Sequence, residues 1–388
     1  MKLSLIIPSF YPAVIYGGPI FSTLHTCQEL AKLEEVEVYV STTNANMTTK
    51  LDVKTATWIK FQERFHVKYY NTTFTHILSI PMFVYTFFDI KKTDIVHIQS
   101  VFNVSTFFAL LYCKNLNKPA LLSPRGQFGG WCLENGNTFK HKWLKWFIKP
   151  FANKVVWHVT AQQEKDEILS LFPHAKVAII PNGIEYDTFQ NSNILSKKEY
   201  VKKFTKQEIE PNKVIVSMGR LQKKKGFDIL IDSFFEILKS FPDSILLIAG
   251  GDEGEERNLK DQIARLYLED RVFLVGAIGG QEKIDFLANA DLFVLPSHNE
   301  NFGNVYVESL AAGTPIVASK NTPWEEVEDA DCGRWVNNTM DETAQAMVEM
   351  LGKDREQMRM NAKKLAKKYD WKNIALQFKE VFENMVRK

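Results

Sequence analysis

Short apolar, β-branched runs alternate along this chain with longer stretches whose apolar positions recur every three to four residues. The short runs fall at 3–8, 36–41, 66–70, 95–99, 120–123, 155–160 and 177–180, then at 214–220, 244–249, 271–277, 292–295, 316–318 and 334–336. The helical stretches fall at 20–32, 77–88, 105–113, 139–151, 163–171, 229–238 and 305–312, and two more close the chain. Alternation of this kind predicts an α/β protein with parallel sheets wrapped by helices. A polar segment over 185–211 carries no strong core pattern and predicts a linker, dividing the chain into domains at 1–190 and 191–371. No solenoid or propeller period is present.

The stretch from Asp291 to Pro315 holds the most chemistry. An apolar run, a break at Pro296, a turn at Phe302-Gly303-Asn304 and a helical run lead to a stop at Gly313 and Pro315. Strand, glycine turn and helix together offer backbone N–H groups and a helix N-terminus to an anion. Glu300 and Glu308 flank that turn with E-x7-E spacing. Glu308 falls about 7 Å along the axis from the helix start, at ~1.5 Å of rise per residue. One ligand carrying sugar hydroxyls, a diphosphate and a ribose diol fits such a set, and a nucleoside diphosphate sugar has those parts. On its own the E-x7-E spacing is common by chance, and Glu308 reads equally as a surface charge.

Other strand ends add candidates. Gly17-Gly18 follows the first strand, where backbone can come close to a phosphate or sugar. His97 and Gln99 share one face of the strand at 95–99. Arg125 follows the next strand as an anion or sugar contact, and Asn182-Gly183 is a turn signal closing the first half. In the second half, Gly219-Arg220 and Lys225-Gly226 set cations beyond a strand end, where Arg clamps a diphosphate and Lys adds a point charge. Lys223 and Lys224 read as solvated. Gly276 ends another strand and would lay backbone against a nucleobase. Neither G-x-G-x-x-G nor Walker A occurs.

Composition narrows the classes. A formal charge of +2 over 388 residues argues against a nucleic-acid binder. Cys27, Cys113, Cys132 and Cys332 show no CxxC spacing and read as reduced thiols of a cytoplasmic protein. The N-terminus reads as a buried strand rather than a leader, and no run approaches the ~20 apolar residues that span a bilayer. From Phe139 to Pro150, lysines and tryptophans interleave at helical spacing. That is the pattern of an interfacial helix resting on anionic lipid, at the cytoplasmic face of the inner membrane. It is also the pattern of a helix packing its tryptophans on its own sheet.

Taken together, Gly17-Gly18-Pro19, Asp94 to His97, Pro181 to Ile184, Gly219-Arg220 with Lys225-Gly226, Gly276, and Glu300 to Glu308 with Phe302-Gly303 resemble the retaining glycosyltransferase family 4. Thr322 to Glu326 and Cys332 to Val336 look like the branch that builds cell-surface polysaccharide and lipopolysaccharide. The resemblance implies the GT-B fold: two Rossmann-like domains facing across a cleft, with a terminal helix from about 372 crossing back to an acceptor-side first domain. It implies transfer of a hexose from a UDP- or GDP-sugar donor, which is a substrate and not a cofactor, to a glycan or lipid-linked glycan acceptor, with no metal. Arg220 and Lys225 would bind the diphosphate, Glu308 the ribose and Glu300 a donor hydroxyl. Backbone at Phe302, Gly303 and Asn304 would face the sugar and phosphate, and Gly18 would sit over the diphosphate. His97 joins the catalytic set, and Gly17, Arg125, Asn182 and Gly276 the donor-binding set. Where relatives read His-x-His, this chain reads His97-Ile98-Gln99, and Gln99 cannot exchange a proton near neutral pH. A nucleotide-sugar epimerase or phosphorylase, and a non-catalytic carbohydrate-binding subunit, are the other readings.

Overall fold

A computed structural model describes residues 1–73, 78–128 and 138–387. The chain divides into two compact units, Met1–Gly183 with Trp371–Lys388, and Ile184–Asp370. Unit 1 contains β1 (Lys2–Ser9), β2 (Glu37–Thr43), β3 (Ala45–Asn46), β4 (Thr49–Lys50), β5 (Trp58–Gln62), β6 (Phe65–Tyr70), β7 (Ile95–Gln99), β8 (Ala120–Ser123), β9 (Val156–Val159) and β10 (Lys176–Ile179). Its main sheet runs β10-β9-β8-β7-β1-β2-β6-β5, parallel except for the β5–β6 pair. Alternate residues of β1 reach two separate cores: Leu3, Leu5 and Ile7 one, Ile6 the other. A parallel strand covered by helices on both faces is buried on both, as β7 is at every position, His97 and Gln99 included.

The terminal helix Trp371–Val386 belongs to unit 1. Trp371, Ile374, Ala375, Phe378 and Phe382 form one buried stripe at helical spacing and share a core with Leu3, Leu5 and Val38. Trp371 explains the Asn-Gly turn. A Cβ at Gly183 would lie 2.3 Å from the indole, so the ring can rest there only on a glycine. The other indole neighbour is the His25 ring, stacked at 5.7 Å.

Unit 2 contains β11 (Lys213–Met218), β12 (Ser244–Ala249), β13 (Val272–Gly276), β14 (Leu292–Leu295), β15 (Ile316–Ser319) and β16 (Gly333–Val336). They form one parallel sheet in the order β13-β12-β11-β14-β15-β16, around a single core. Numbered within the unit, that order is 3-2-1-4-5-6, the doubly wound dinucleotide-binding arrangement.

Two expectations shift. The division falls at Gly183/Ile184 rather than 190/191, because Ile184 and Phe189 are buried in the second core. The supposed linker instead holds the helix Lys197–Thr205, opened by a capping box between Ser196 and Glu199. Pro81 sits in the first turn of the helix Ile80–Lys91, behind the Ser79 cap. There its missing N–H costs nothing. Residue 77 lies outside the described residues, as does Cys132. Cys27, Cys113 and Cys332 are free and buried.

Candidate active site

In unit 2 the strand order reverses between β11 and β14, which makes their C-terminal edge the switch point where open α/β sheets bind ligands. Three glycines line that edge. Gly219 donates its N–H to Ala249 at 2.9 Å, and Gly250 donates to Gly276 at 2.8 Å. A Cβ at position 250 would lie 1.8 Å from the Gly219 carbonyl oxygen. Beyond Gly219 the chain makes a tight turn over Lys223–Lys225 that Gly226 ends at φ +69°. A Cβ at 226 would lie 2.2 Å from the Pro296 carbonyl oxygen, so glycine lets this turn dock on the end of β14. The Lys224 carbonyl then accepts from the His298 N–H at 2.8 Å and the Ser297 hydroxyl at 3.1 Å.

That docking sets Lys225 against Glu300. The Lys225 methylenes run along Gly219, where a Cβ would lie 3.3 Å from Cε. The ammonium pairs with the Glu300 carboxylate, the two side chains being only 16% and 13% exposed. Glu300 in turn lies beside Gly303, where a Cβ would be 3.6 Å from its Cγ and 2.6 Å from the Tyr306 ring. Gly303, at φ +73°, caps the helix Asn304–Ala312 and accepts the Tyr306 N–H at 3.0 Å. That end carries the partial positive charge of a helix N-terminus. The turn is fixed from behind. Trp324 donates its indole N–H to the Phe302 carbonyl at 2.7 Å, Tyr306 its hydroxyl to Leu295 at 2.7 Å, and the Glu300 N–H reaches Asn321 at 3.2 Å. The Phe302 side chain is itself core, packed on Trp324 and Tyr369.

The other two expected charges are held differently. Glu308 accepts from Lys283 at 2.7 Å, on the neighbouring helix Gly280–Ala288. Arg220 is not joined to Lys225 and Glu300. It donates to Glu253, in the loop after β12, at 2.9 and 3.2 Å, and its side chain is 67% exposed. Gln222 donates to the same carboxylate. Gly276 (φ +79°) is exposed, with nothing within 4 Å of where a Cβ would stand. Lys283, Glu253 and Asn321 went unnoticed in the sequence. Each acts on a residue far along the chain, and no local spacing marks it. Asp331 pairs with Lys353 at 2.7 Å, as a surface turn does.

Unit 1 has its own edge. Gly17 (φ +74°) caps the helix Gly18–Lys32, with Pro19 in its first turn. Gln99 ends β7, 2% exposed, and its Oε1 accepts from Arg125 Nε at 2.7 Å and from the Thr23 hydroxyl at 3.2 Å. Arg125 also donates to Asn182 Oδ1 at 3.2 Å and to Thr23 at 3.4 Å. Its left-handed backbone (φ 56°) is held by Glu164, which accepts from the next residue, Gly126, at 2.7 Å.

His97, expected in the catalytic set, does not join this edge. It is fully buried, with Phe378 and Phe382 of the terminal helix against it. Its Nε2 lies 2.7 Å from Ser123 Oγ, which lies 2.6 Å from His158 Nδ1, and His158 Nε2 lies 2.9 Å from the Ile180 carbonyl oxygen. Only donation from His158 to that carbonyl is possible, so protons run one way along the chain and leave His97 Nδ1 bare. Burial, then His158 and Arg125, hold the His97 imidazole well below its usual pKa, and burial brings His158 down to about 3.

A doubly wound sheet with a cationic, glycine-opened switch point, in a chain of two Rossmann-like domains, defines a protein of the GT-B type. Comparison with known proteins places it further. Residues 16–188 match Glycosyltransferase Family 4 and residues 199–369 match Glycosyl transferases group 1. The chain belongs to the family 4 glycosyltransferases. It is 26% identical over 235 residues, 59% of its length, to the alpha-monoglucosyldiacylglycerol synthase of Streptococcus pneumoniae. The chain spans about half the length of the curated relatives it matches, 52% in that case. Among solved structures it resembles the sucrose-phosphate synthase of Thermosynechococcus elongatus, with TM-score 0.71, 18% identity and coverage of 100% of this chain and 99% of that one. Anabaena HepE in complex with UDP-glucose gives TM-score 0.71, 19% identity and coverage of 99% and 100%. At such identities the likeness is one of fold.

Proposed function

We propose that this chain transfers a hexose from a nucleoside diphosphate sugar to a glycan or lipid-linked glycan in cell-surface polysaccharide synthesis, with retention and without a metal. The observation that carries this reading is the Lys225–Glu300 pair set beside the N-terminal tip of Asn304–Ala312. As the glycosidic bond breaks, negative charge grows on the departing diphosphate. A half-buried ammonium beside the positive end of a helix stabilises that charge, the electrostatic route to rate. Arg220 supplies a second cation once the diphosphate draws it from Glu253. Glu300 takes a hydroxyl of the donor sugar and Glu308 the ribose. In front-face transfer, a donor phosphate oxygen accepts the proton of the attacking hydroxyl, so no side-chain base is needed. A Gln at 99 and a buried His97 accord with that.

The acceptor is presented at an anionic membrane surface. No helix among the described residues is long and apolar enough to cross a membrane, but Trp146 is 70% and Phe139 63% exposed. Lys142, Lys145 and Lys149 stand beside them. Trp143 does not belong to this face. It is buried, donating its indole N–H to Val101 at 3.0 Å. The streptococcal relative, named for a glucosylated diacylglycerol, supports an acceptor of lipid character. The test is a thermal-shift screen of nucleotide sugars with UDP and GDP as references, followed by co-sedimentation with phosphatidylglycerol vesicles. Stabilisation by one nucleoside diphosphate, and sedimentation lost in Trp146→Ser, are expected. No stabilisation by any of them would remove the donor assignment.

A further inference from the structure

The polar cluster at the edge of unit 1 has more hydrogen-bond donors than acceptors. A guanidinium carries five N–H groups, and Arg125 uses three, on Gln99 Oε1, Asn182 Oδ1 and Thr23 Oγ1. All three acceptors are neutral. No carboxylate forms an ion pair with Arg125 among the described residues. Glu164, the acid it feels most, spends its oxygens on the N–H groups of Gly126 and Thr160. Because Arg125 can only donate, the Gln99 atom facing it has to be the carbonyl oxygen. That fixes the amide nitrogen on the opposite side, where Nε2 is buried and has no partner among the described residues. A buried amide without partners costs about 1–3 kcal/mol, and the half-buried guanidinium has no carboxylate in direct contact among the described residues, only the charge of Glu164 nearby. Water could meet the open N–H groups but not the charge. The complement is a group made only of acceptors, carrying negative charge.

We propose that Arg125 and Gln99 form a subsite for an anionic oxygen group, the phosphate or carboxylate of a substrate. This rests on the reading of the chain as a transferase and adds to it that unit 1 holds an anion of its own. Thr23 and Asn182 are positioning residues. They hold the guanidinium plane and leave two of its five N–H groups open. Burial lowers the Arg125 pKa to about 10, so the cation persists throughout the neutral range.

The experiment titrates the full chain with inorganic phosphate, and separately with acetate, by calorimetry, each with and without saturating UDP or GDP. Methyl α-glucoside serves as the neutral control. Gln99→Glu puts a carboxylate against the guanidinium at unchanged size and is expected to weaken phosphate binding at least tenfold while leaving the melting temperature level or higher. Arg125→Lys, which keeps the charge and loses the fork, is expected to weaken it severalfold. Variant-sensitive phosphate binding that persists under saturating nucleotide assigns the group to the second substrate. Variant-sensitive binding that nucleotide abolishes assigns it to the donor diphosphate, and either result supports the subsite. Phosphate binding that is absent, or equal in wild type and both variants, overturns it. Nucleotide affinity, read in the same titrations, reports separately on the donor site of unit 2.

Discussion

The two units share a doubly wound plan yet finish their C-terminal sheet edges in opposite ways. In unit 2 the edge is charged and internally neutralised: Lys225 with Glu300, Lys283 with Glu308, Arg220 with Glu253. In unit 1 it is built of neutral amides and a hydroxyl around one cation that has no ion pair among the described residues, with a buried line of neutral histidines behind it. Paired charges can be exchanged for those of a ligand, since a diphosphate replaces a carboxylate on each cation. An unpaired cation among amides can only be completed. In the proposed function the same topology would serve a large, highly charged ligand at one edge and a single anionic group at the other.

The largest effect expected is structural and confined to unit 1. Trp371→Ala removes the indole that closes Gly183 and should cost unit 1 about 3–5 kcal/mol, as for other large buried aromatics. Calorimetry should show one transition moving down while nucleotide still protects the other. A joint shift of both would contradict separate cores. Next in size, Lys225→Ala and Glu308→Ala should each lower turnover about 10²-fold, near 2.7 kcal/mol, with melting nearly unchanged. Transfer within threefold of wild type by both would end the donor-site assignment. Acid should then separate the units. His158 titrates at about 3 in the fold and His97 well below its usual range, whereas an unfolded chain takes these protons near 6.5. The unfolded state thus binds more protons below that pH, and stability falls as pH drops, by up to ~1.4 kcal/mol per unit for each histidine. Unit 2 has only His298, so the early acid transition should belong to unit 1. His158→Asn should flatten the slope. Smallest of all, Arg220→Ala should change stability by under about 0.5 kcal/mol, because its pair with Glu253 is exposed, while still lowering turnover.

Much of this comparison was legible in the sequence. The runs at 95–99, 120–123, 244–249 and 292–295 are strands with those bounds, because a strand covered on both faces leaves a short, mostly apolar run between polar turns. Glu300, Gly303 and Lys225 stand out as candidates because strand, turn and helix follow one another along the chain. Their pairing does not, since it depends on Gly226 letting two loops meet at Pro296. Strand β5 was missed because it is a half-exposed edge in an irregular stretch. The Lys197–Thr205 helix was missed although Ser196 and Glu199 spell its cap, because a lysine-rich surface hides the apolar face carried by Tyr200 and Val201. His97 misled because a histidine at a strand end looks the same whether it faces a ligand or, as here, Phe378 and Phe382 from a helix some 280 residues later.

The central claim is that the switch point of unit 2 recognises a pyrophosphate through Lys225. The most direct measurement is the affinity of UDP against uridine, and of GDP against guanosine, in the wild-type chain and in Lys225→Ala. The account predicts that one diphosphate binds at least 100-fold more tightly than its nucleoside and that this ratio falls at least tenfold in the variant. A ratio left unchanged by the substitution would contradict it.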